Sequence, residues 1–529
     1  MRQQKCSKSM HNIHIIDISI IILYFVVCIG VGLYKSKSIK TLKEYTLGGR
    51  NFSDLVIITT LFATHIGASS TIGVVEKVYV LGMFFVVNSL VEPLFMWLVT
   101  MKIYAGNIDQ FAGCMSVSDI MGRLYGKAGR WVTNITAVFL SIAVVTLQST
   151  AMGYLLHYFF SIPIHQGIIT STLTLALYSA FGGIRAVAYT DVFQFMILMV
   201  AIPAACFIVY GMESGGGIIH WHKVFDQLPQ ELLTLGINKE NIGLFLSLVF
   251  YKFLPQTEGA FIQRFLLSRN SNQLVRCLKV VIPLNIFFSI TICLISFFIK
   301  AKAPDIDPST AFVHFIANYL IVGIKGLVIA GLLAVIMSTA DSWLNTTSVL
   351  VTHDIIRKLI SLNEKQSLII ARCSTLVIAT LAILLSLSGK GVIELEWLGG
   401  NFWMPIVIVP LSAGFLKFRT NEKSFIASTT LAIALTCISG YIVEDFATIS
   451  LMCGMIGSAI GLFGMHHLQK HQGIDPAEKH RKLEAMDAKK KSKFGYANST
   501  EQLEQWYKES SSRNEKIESS LKDLTKDKQ

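Results

Sequence analysis

Leu61-Phe62-Ala63-Thr64-His65-Ile66-Gly67-Ala68-Ser69-Ser70-Thr71-Ile72-Gly73 is the stretch on which the reading of this chain turns. It lies inside an apolar run, 54–80, long enough to cross a bilayer. Yet its centre is built from small and hydroxyl residues around an imidazole, and Gly82 closes it. In hydrocarbon each backbone group needs a partner inside the protein, so such a stretch predicts a helix that unwinds and turns freed carbonyls toward a cation. Small residues packing closely against a neighbouring helix account for the glycines as well. His65 and Glu76 favour the broken helix, because ionisable groups within a span mark pathways.

Working outward, the 529 residues are 52% hydrophobic and only 15% charged, with a mean hydropathy of +0.55. That is apolar mass for about a dozen spans of ~20 residues, and it excludes a soluble domain. Apolar runs bounded by Gly, Pro and charge predict an all-α integral membrane protein of about 13 transmembrane helices. They fall at 14–34, 54–80, 83–104, 130–157, 163–181, 188–211, 241–263, 276–300, 319–355, 366–388, 392–416, 424–443 and 447–466. Four regions follow: an N-terminal extra helix with the first cytoplasmic loop (1–53), a core (54–416), C-terminal helices (417–466) and a charged tail (467–529). The last 60 residues hold 25 of the 80 charges, which sets the tail apart as a solvated segment.

One set of alternate loops carries 21 Lys/Arg and the other about five, so the first set is expected in the cytoplasm of a cell (inner) membrane protein. With an odd number of spans the N-terminus is outside and the tail inside. Arg2, Lys5 and Lys8 run against that rule. The basic balance needs no nucleic-acid partner; Lys489-Lys490-Lys491 either meets anionic membrane lipid or is solvated. The outer loops 212–240 and 301–318 carry short amphipathic stretches, read as lids or as interfacial loops. Nine scattered cysteines form no CxxC pair, so neither a disulfide framework nor a structural metal is expected, and no cofactor.

Other polar departures sit in four spans. The ninth reads Ala334-Val335-Ile336-Met337-Ser338-Thr339-Ala340-Asp341-Ser342. Positions 335, 338, 339 and 342 share one helix face, a set of hard oxygens suited to a monovalent cation. Serines bonding back to their own helix are the plainer reading. The sixth span opens on Gly182-Gly183, a turn, and carries Asp191, either a functional carboxylate or a helix cap. The third holds Asn88, Ser89 and Glu92 before Pro93; the seventh holds Lys252, Gln256 and Glu258 around Pro255. Either proline suits a second broken helix.

Tyr45-Thr46-Leu47-Gly48-Gly49-Arg50, Gly182-Gly183, Thr190-Asp191 with Gln194, Gln263-Arg264 and Met337 to Ser342 together resemble the solute:sodium symporter family over about residues 14–466. The resemblance implies a five-plus-five inverted-repeat (leucine-transporter-like) core, with repeats in spans two to six and seven to eleven. It implies a sodium site made by the carbonyls of Ala63, Ile66 and Val335 and the hydroxyls of Ser338 and Thr339. Asp191 matches an acidic residue on the family's sodium exit path. His65 stands where proline carriers have an Asp, Ser69 and Ser70 where sugar carriers have a Glu-Gln pair, and Leu254 where those have a tyrosine gate. The implied function is sodium-coupled symport of a small organic solute (proline or another amino acid, pantothenate, sugar or similar) into the cell, not an enzyme activity. Solute pocket or ion path would involve His65, Ser69, Ser70, Ser89, Glu92, Asp191, Glu258 and Asp341. Rival readings are a proton-coupled carrier of the same fold, a substrate-sensing receptor, and a membrane enzyme built on His220-Trp221-His222 or His353-Asp354.

Overall fold

The computed structural model describes residues 13–36, 39–213, 222–237, 242–389, 392–443 and 448–478. Arg2, Lys5, Lys8, His220-Trp221 and Lys489 to Lys491 lie outside them. Among the described residues every regular element is helical. The chain begins with α1 (Ile15–Ser36), the short α2 (Leu42–Leu47) and the pair α3 (Asp54–His65) and α4 (Val74–Leu81). α5 (Met83–Ile103), α6 (Val117–Phe160) and α7 (Ile164–Glu213) follow. Two single turns, α8 (His222–Phe225) and α9 (Gln230–Leu233), precede α10 (Ile242–Lys252) and α11 (Gly259–Leu267). Then come α12 (Ser271–Lys302), α13 (Ala311–Tyr319), α14 (Ile324–Val349), α15 (Arg357–Leu359), α16 (Glu364–Ser388), α17 (Val392–Phe415), α18 (Glu422–Val443) and α19 (Thr448–His471).

Ten of the described helices are long and apolar enough to cross a membrane, and the bent pair α3 and α4 makes up to eleven candidates. The expected spans 163–181 and 188–211 stay separate: the run called α7 is two helices that meet at Gly183, where the backbone leaves helical geometry. Gly183 bends it at φ 50°, and a Cβ there would stand 2.7 Å from the Tyr45 ring, so glycine is required. The expected span 241–263 is instead two short helices, α10 and α11, with Pro255 in the break. Pro93 breaks nothing: α5 continues through it, so of the two proline-bearing spans only the seventh divides. The amphipathic stretches of the loops 212–240 and 301–318 fold, where described, as α8, α9 and α13.

α14 is the central post. Its apolar core is 94% buried, against 28% for α1, because α7, α6, α1, α16 and α3 surround it. The chain therefore places its most polar apolar-run segment where no lipid reaches. Beyond Val349 a π-helical turn, Leu350–Ile356, carries α14 to the end of the expected span 319–355. There Ser116 donates to Asp354 at 2.5 Å and His353 sits 3.1 Å from the same carboxylate, a contact between the start of α6 and the end of α14.

Candidate functional site

The quoted stretch is broken as its composition predicts. α3 stops at His65, and the chain turns by 64° before α4. The break is made locally. A continuing helix would give the Gly67 amide to the Ala63 carbonyl; here it goes to Ser70 Oγ at 2.8 Å, and Ser70 Oγ donates back to Gly67 O at 3.2 Å. Thr71 Oγ1 donates to Gly67 O at 2.9 Å, and the Gln148 side chain of α6 accepts from the Ala68 amide at 3.4 Å. The Ala63 carbonyl is thus released from its helical donor, while the Ile66 carbonyl turns toward α14.

On α14, Thr339 Oγ1 lies 3.0 Å from Ile66 O and 3.1 Å from Val335 O, bonding both its own helix and the broken one. Gly67 keeps this approach open, since a Cβ there would stand 3.1 Å from Thr339 Oγ1. Ser338 Oγ donates to Asp191 Oδ1 at 2.5 Å, and Asp191 Oδ2 accepts from Thr60 Oγ1 at 2.5 Å. Asp191 is fully buried, lies inside α7 well past the bend at Gly183 and gives both oxygens to side chains of α3 and α14, so it does not cap a helix. All five residues of the sodium set are buried along one α3–α14 seam. The donors are neutral oxygens beside a single carboxylate, hard ligands of the kind that suit an alkali cation.

Arg264 is the residue whose place differs most from expectation. Counted among the cytoplasmic loop charges, it is instead a fully buried side chain of α11. It donates to Thr60 Oγ1 at 3.1 Å, to Gln263 Oε1 at 3.2 Å and to Ser342 Oγ at 2.5 Å; Ser342 in turn sits 3.2 Å from Thr64 Oγ1. Gln263 reaches Thr46 O and Asn345 Oδ1, both at 3.1 Å, and accepts from Thr346 at 2.5 Å. The Gln-Arg pair therefore ties α11 to α2, α3 and α14. Thr60, missed in the sequence, was signalled by its i, i+4 spacing to Thr64 on the same face. Without Arg264 the loop asymmetry still stands at 20 to about five.

The residues expected at the solute or ion path do not form one group. His65, Glu92, Lys252 and Gln256 meet: Lys252 pairs with Glu92, His65 Nε2 lies 4.0 Å from Glu92 Oε1, and Gln256 Nε2 lies 3.4 Å from His65 Nδ1. Asp341 lies elsewhere, accepting from Tyr178 of α7 and near Tyr24 of α1, whose hydroxyl accepts from Gln194 at 3.1 Å. Ser89 Oγ is buried with no hydrogen-bond partner among the described residues, Ser70 is spent on the break, Ser69 is exposed, and Glu258 accepts from the Thr257 amide at 3.0 Å beside the start of α11. Bulk hydropathy does not distinguish these fates, because neighbours on one helix face different partners.

Comparisons with known proteins agree with this architecture. Residues 45–398 match the family model described as "Sodium:solute symporter family". The sodium/glucose cotransporter of Vibrio parahaemolyticus is 26% identical over 394 residues, 66% of this chain and 70% of that one. The osmoregulated proline transporter OpuE of Bacillus subtilis is 23% identical over 434 residues, 79% and 87%. Among solved structures, a substrate-bound, outward-open Na+-coupled sialic acid symporter superposes with a TM-score of 0.73 at 20% identity, covering 85% of this chain and 96% of the other. MhsT in complex with L-phenylalanine superposes with a TM-score of 0.52 at 14% identity over 78% and 98%. The fold is therefore the leucine-transporter-like, inverted-repeat fold of secondary carriers, and with two thirds of its length matched this chain belongs to the sodium:solute symporter family.

Proposed function

We propose that this chain performs sodium-coupled symport of a small organic solute into the cell by alternating access. The observation that carries the reading is Thr339 Oγ1 on the central helix, 3.0 Å from the Ile66 carbonyl at the end of the broken one. A sodium ion seated there would take the carbonyl oxygens of Ala63, Ile66 and Val335 and the hydroxyl oxygens of Ser338 and Thr339, whose protons would turn away from the ion. It would hold α3 against α14 and so favour the conformation in which the solute pocket at the breaks is formed. Coupling follows because both ligands stabilise the same conformation. Asp191, already bonded to Ser338, would receive the ion on its way to the cytoplasm. At 100 mV each inward sodium supplies ~2.3 kcal/mol besides its concentration term.

Within this scheme residues 54–416 form the transport core, 1–53 and 417–466 flank it, and 467–529 is a cytoplasmic tail, with the N-terminus outside. The loop-charge asymmetry supports that orientation.

The test is thermal unfolding of the purified protein across a sodium titration, with choline as the replacement ion at fixed pH. Ser338→Ala and Thr339→Ala are each expected to weaken sodium binding ~10–100-fold, the worth of one oxygen ligand to a charge at ~1.5–3 kcal/mol. Indifference to sodium combined with a response to falling pH would transfer the coupling role to protons.

A further inference from the structure

We propose that the transported solute is a zwitterion of the α-amino acid type, held by an exchange of partners across the Glu92–Lys252 ion pair. The proposal rests on the symport reading above and narrows its cargo.

The pair joins two elements that border both breaks. Lys252 is the last residue of α10, where the second broken span stops, and Glu92 lies on α5. Their side chains are 16% and 24% exposed, so neither is sealed in the core although both lie among membrane-spanning helices. His65, the last residue of α3 before the first break, stands 4.0 Å from Glu92 Oε1, the oxygen Lys252 does not hold, and Gln256 of the second break stands 3.4 Å from the other side of the imidazole. Trp97 and Phe261 enclose His65, their ring centroids 5.4 and 6.2 Å from it. Three buried polar atoms of α5 near this place hydrogen-bond to no protein group among the described residues: Asn88 Oδ1 and Ser89 Oγ, one helical turn before Glu92, and Trp97 Nε1. The amide oxygen accepts, the indole donates and the hydroxyl can do either.

Buried charges must stay paired, which makes the ion pair a filter on solute charge. A neutral polyol that entered between Glu92 and Lys252 would separate two charges and return none. An anion would satisfy Lys252 and strand Glu92. A zwitterion gives each side chain a new partner, its carboxylate to Lys252 and its ammonium to Glu92, and every charge remains compensated. The unsatisfied acceptor at Asn88 and donor at Trp97 match the same two ends. Such an exchange would draw α5 and α10 onto the solute, since each then holds one end of a single molecule.

The experiment uses the full-length purified protein in saturating sodium. Thermal shifts are measured with each of the twenty α-amino acids and with glucose, myo-inositol and pantothenate. The best amino acid is then compared with its N-acetyl derivative and its methyl ester. The expected result is stabilisation by at least one amino acid, with each blocked derivative binding at least ~10-fold more weakly, as loss of one charged hydrogen bond requires. In Glu92→Gln the penalty for N-acetylation should shrink, and in Lys252→Gln that for esterification. The derivative series on the unaltered protein decides the question even if those variants do not fold. Stabilisation by a sugar, by myo-inositol or by pantothenate in place of amino acids, a response to none of the twenty, or equal binding of a blocked derivative overturns the proposal. Sodium alone reports separately on the symport reading: a sodium shift that Thr339→Ala removes, together with binding of a neutral solute, sinks the zwitterion and leaves sodium coupling standing.

Discussion

The two broken spans solve one problem by different means. At the first break the turn itself is closed from within a few residues, Gly67 and Ser70 bonding each other and Thr71 returning to Gly67, while Gln148 of α6 and Thr339 of α14 take the Ala68 amide and the Ile66 carbonyl beside it. At the second, the Gln256 amide is satisfied across the fold by Thr100 Oγ1 of α5 at 3.0 Å, and Lys252 is held by Glu92 of the same helix. A break stabilised by its own sequence can stay open while its surroundings move. One stabilised by a neighbouring helix changes when that helix moves. The first break suits an ion site that must be formed before the solute arrives, and the second suits a solute site whose closure reports on what it has bound.

Arg264 bridges the two, and its loss is the largest effect we expect. It lies two turns past the second break, yet its guanidinium holds Thr60 of the first broken span and Ser342 of the central helix. Arg264→Met would leave Thr60, Gln263 and Ser342 without their cation-borne hydrogen bonds. We expect a loss of ~3–5 kcal/mol of stability, the cost of breaking a buried charged network on one side, read as a large fall in the unfolding midpoint in detergent. A near-normal midpoint would mean that the two spans are not joined through this residue.

Thr100→Val comes next. It removes the acceptor of the Gln256 amide while keeping the side-chain volume, so it should cost ~1–3 kcal/mol. Its signature is selectivity: solute affinity falls while sodium affinity in the absence of solute is retained. Equal losses of both would erase the distinction between the breaks. Ser70→Ala is expected to be mildest, ~1 kcal/mol, because the Gly67 amide can turn back toward the Ala63 carbonyl and rebuild a helical bond. That same recovery would withdraw a carbonyl from the sodium set. Sodium half-saturation should therefore rise although stability barely changes, and a sodium titration of the variant checks it.

The contrast also explains what was legible beforehand. The first break, the hydroxyl face of α14 and the turn at Gly183 are written in residues close in sequence, and each was recognised from spacing alone. Pro93 and Pro255 looked equivalent, but α5 packs along α12 and carries its proline as a continuous helix, whereas the chain around Pro255 is held open from α5. Arg264 looked like a loop charge because the hydropathy of α11 does not reveal which partners wait for it. Asp341 and Asp191 share a similar sequence character, a lone carboxylate in an apolar run, and differ only in their neighbours: Tyr178 for one, Ser338 and Thr60 for the other.

By itself the sequence determined that the chain is a helical membrane protein, where most helices run, and where one helix must come apart. Those properties follow from the burial of apolar surface and from backbone groups that must be satisfied within a few residues. Only the tertiary structure decided which polar side chains meet: Thr339 with the Ile66 carbonyl, Arg264 with Thr60, and Glu92 with Lys252. Such pairings join helices up to 273 residues apart in sequence, and their energy depends on distance and exclusion of water, which no local pattern encodes.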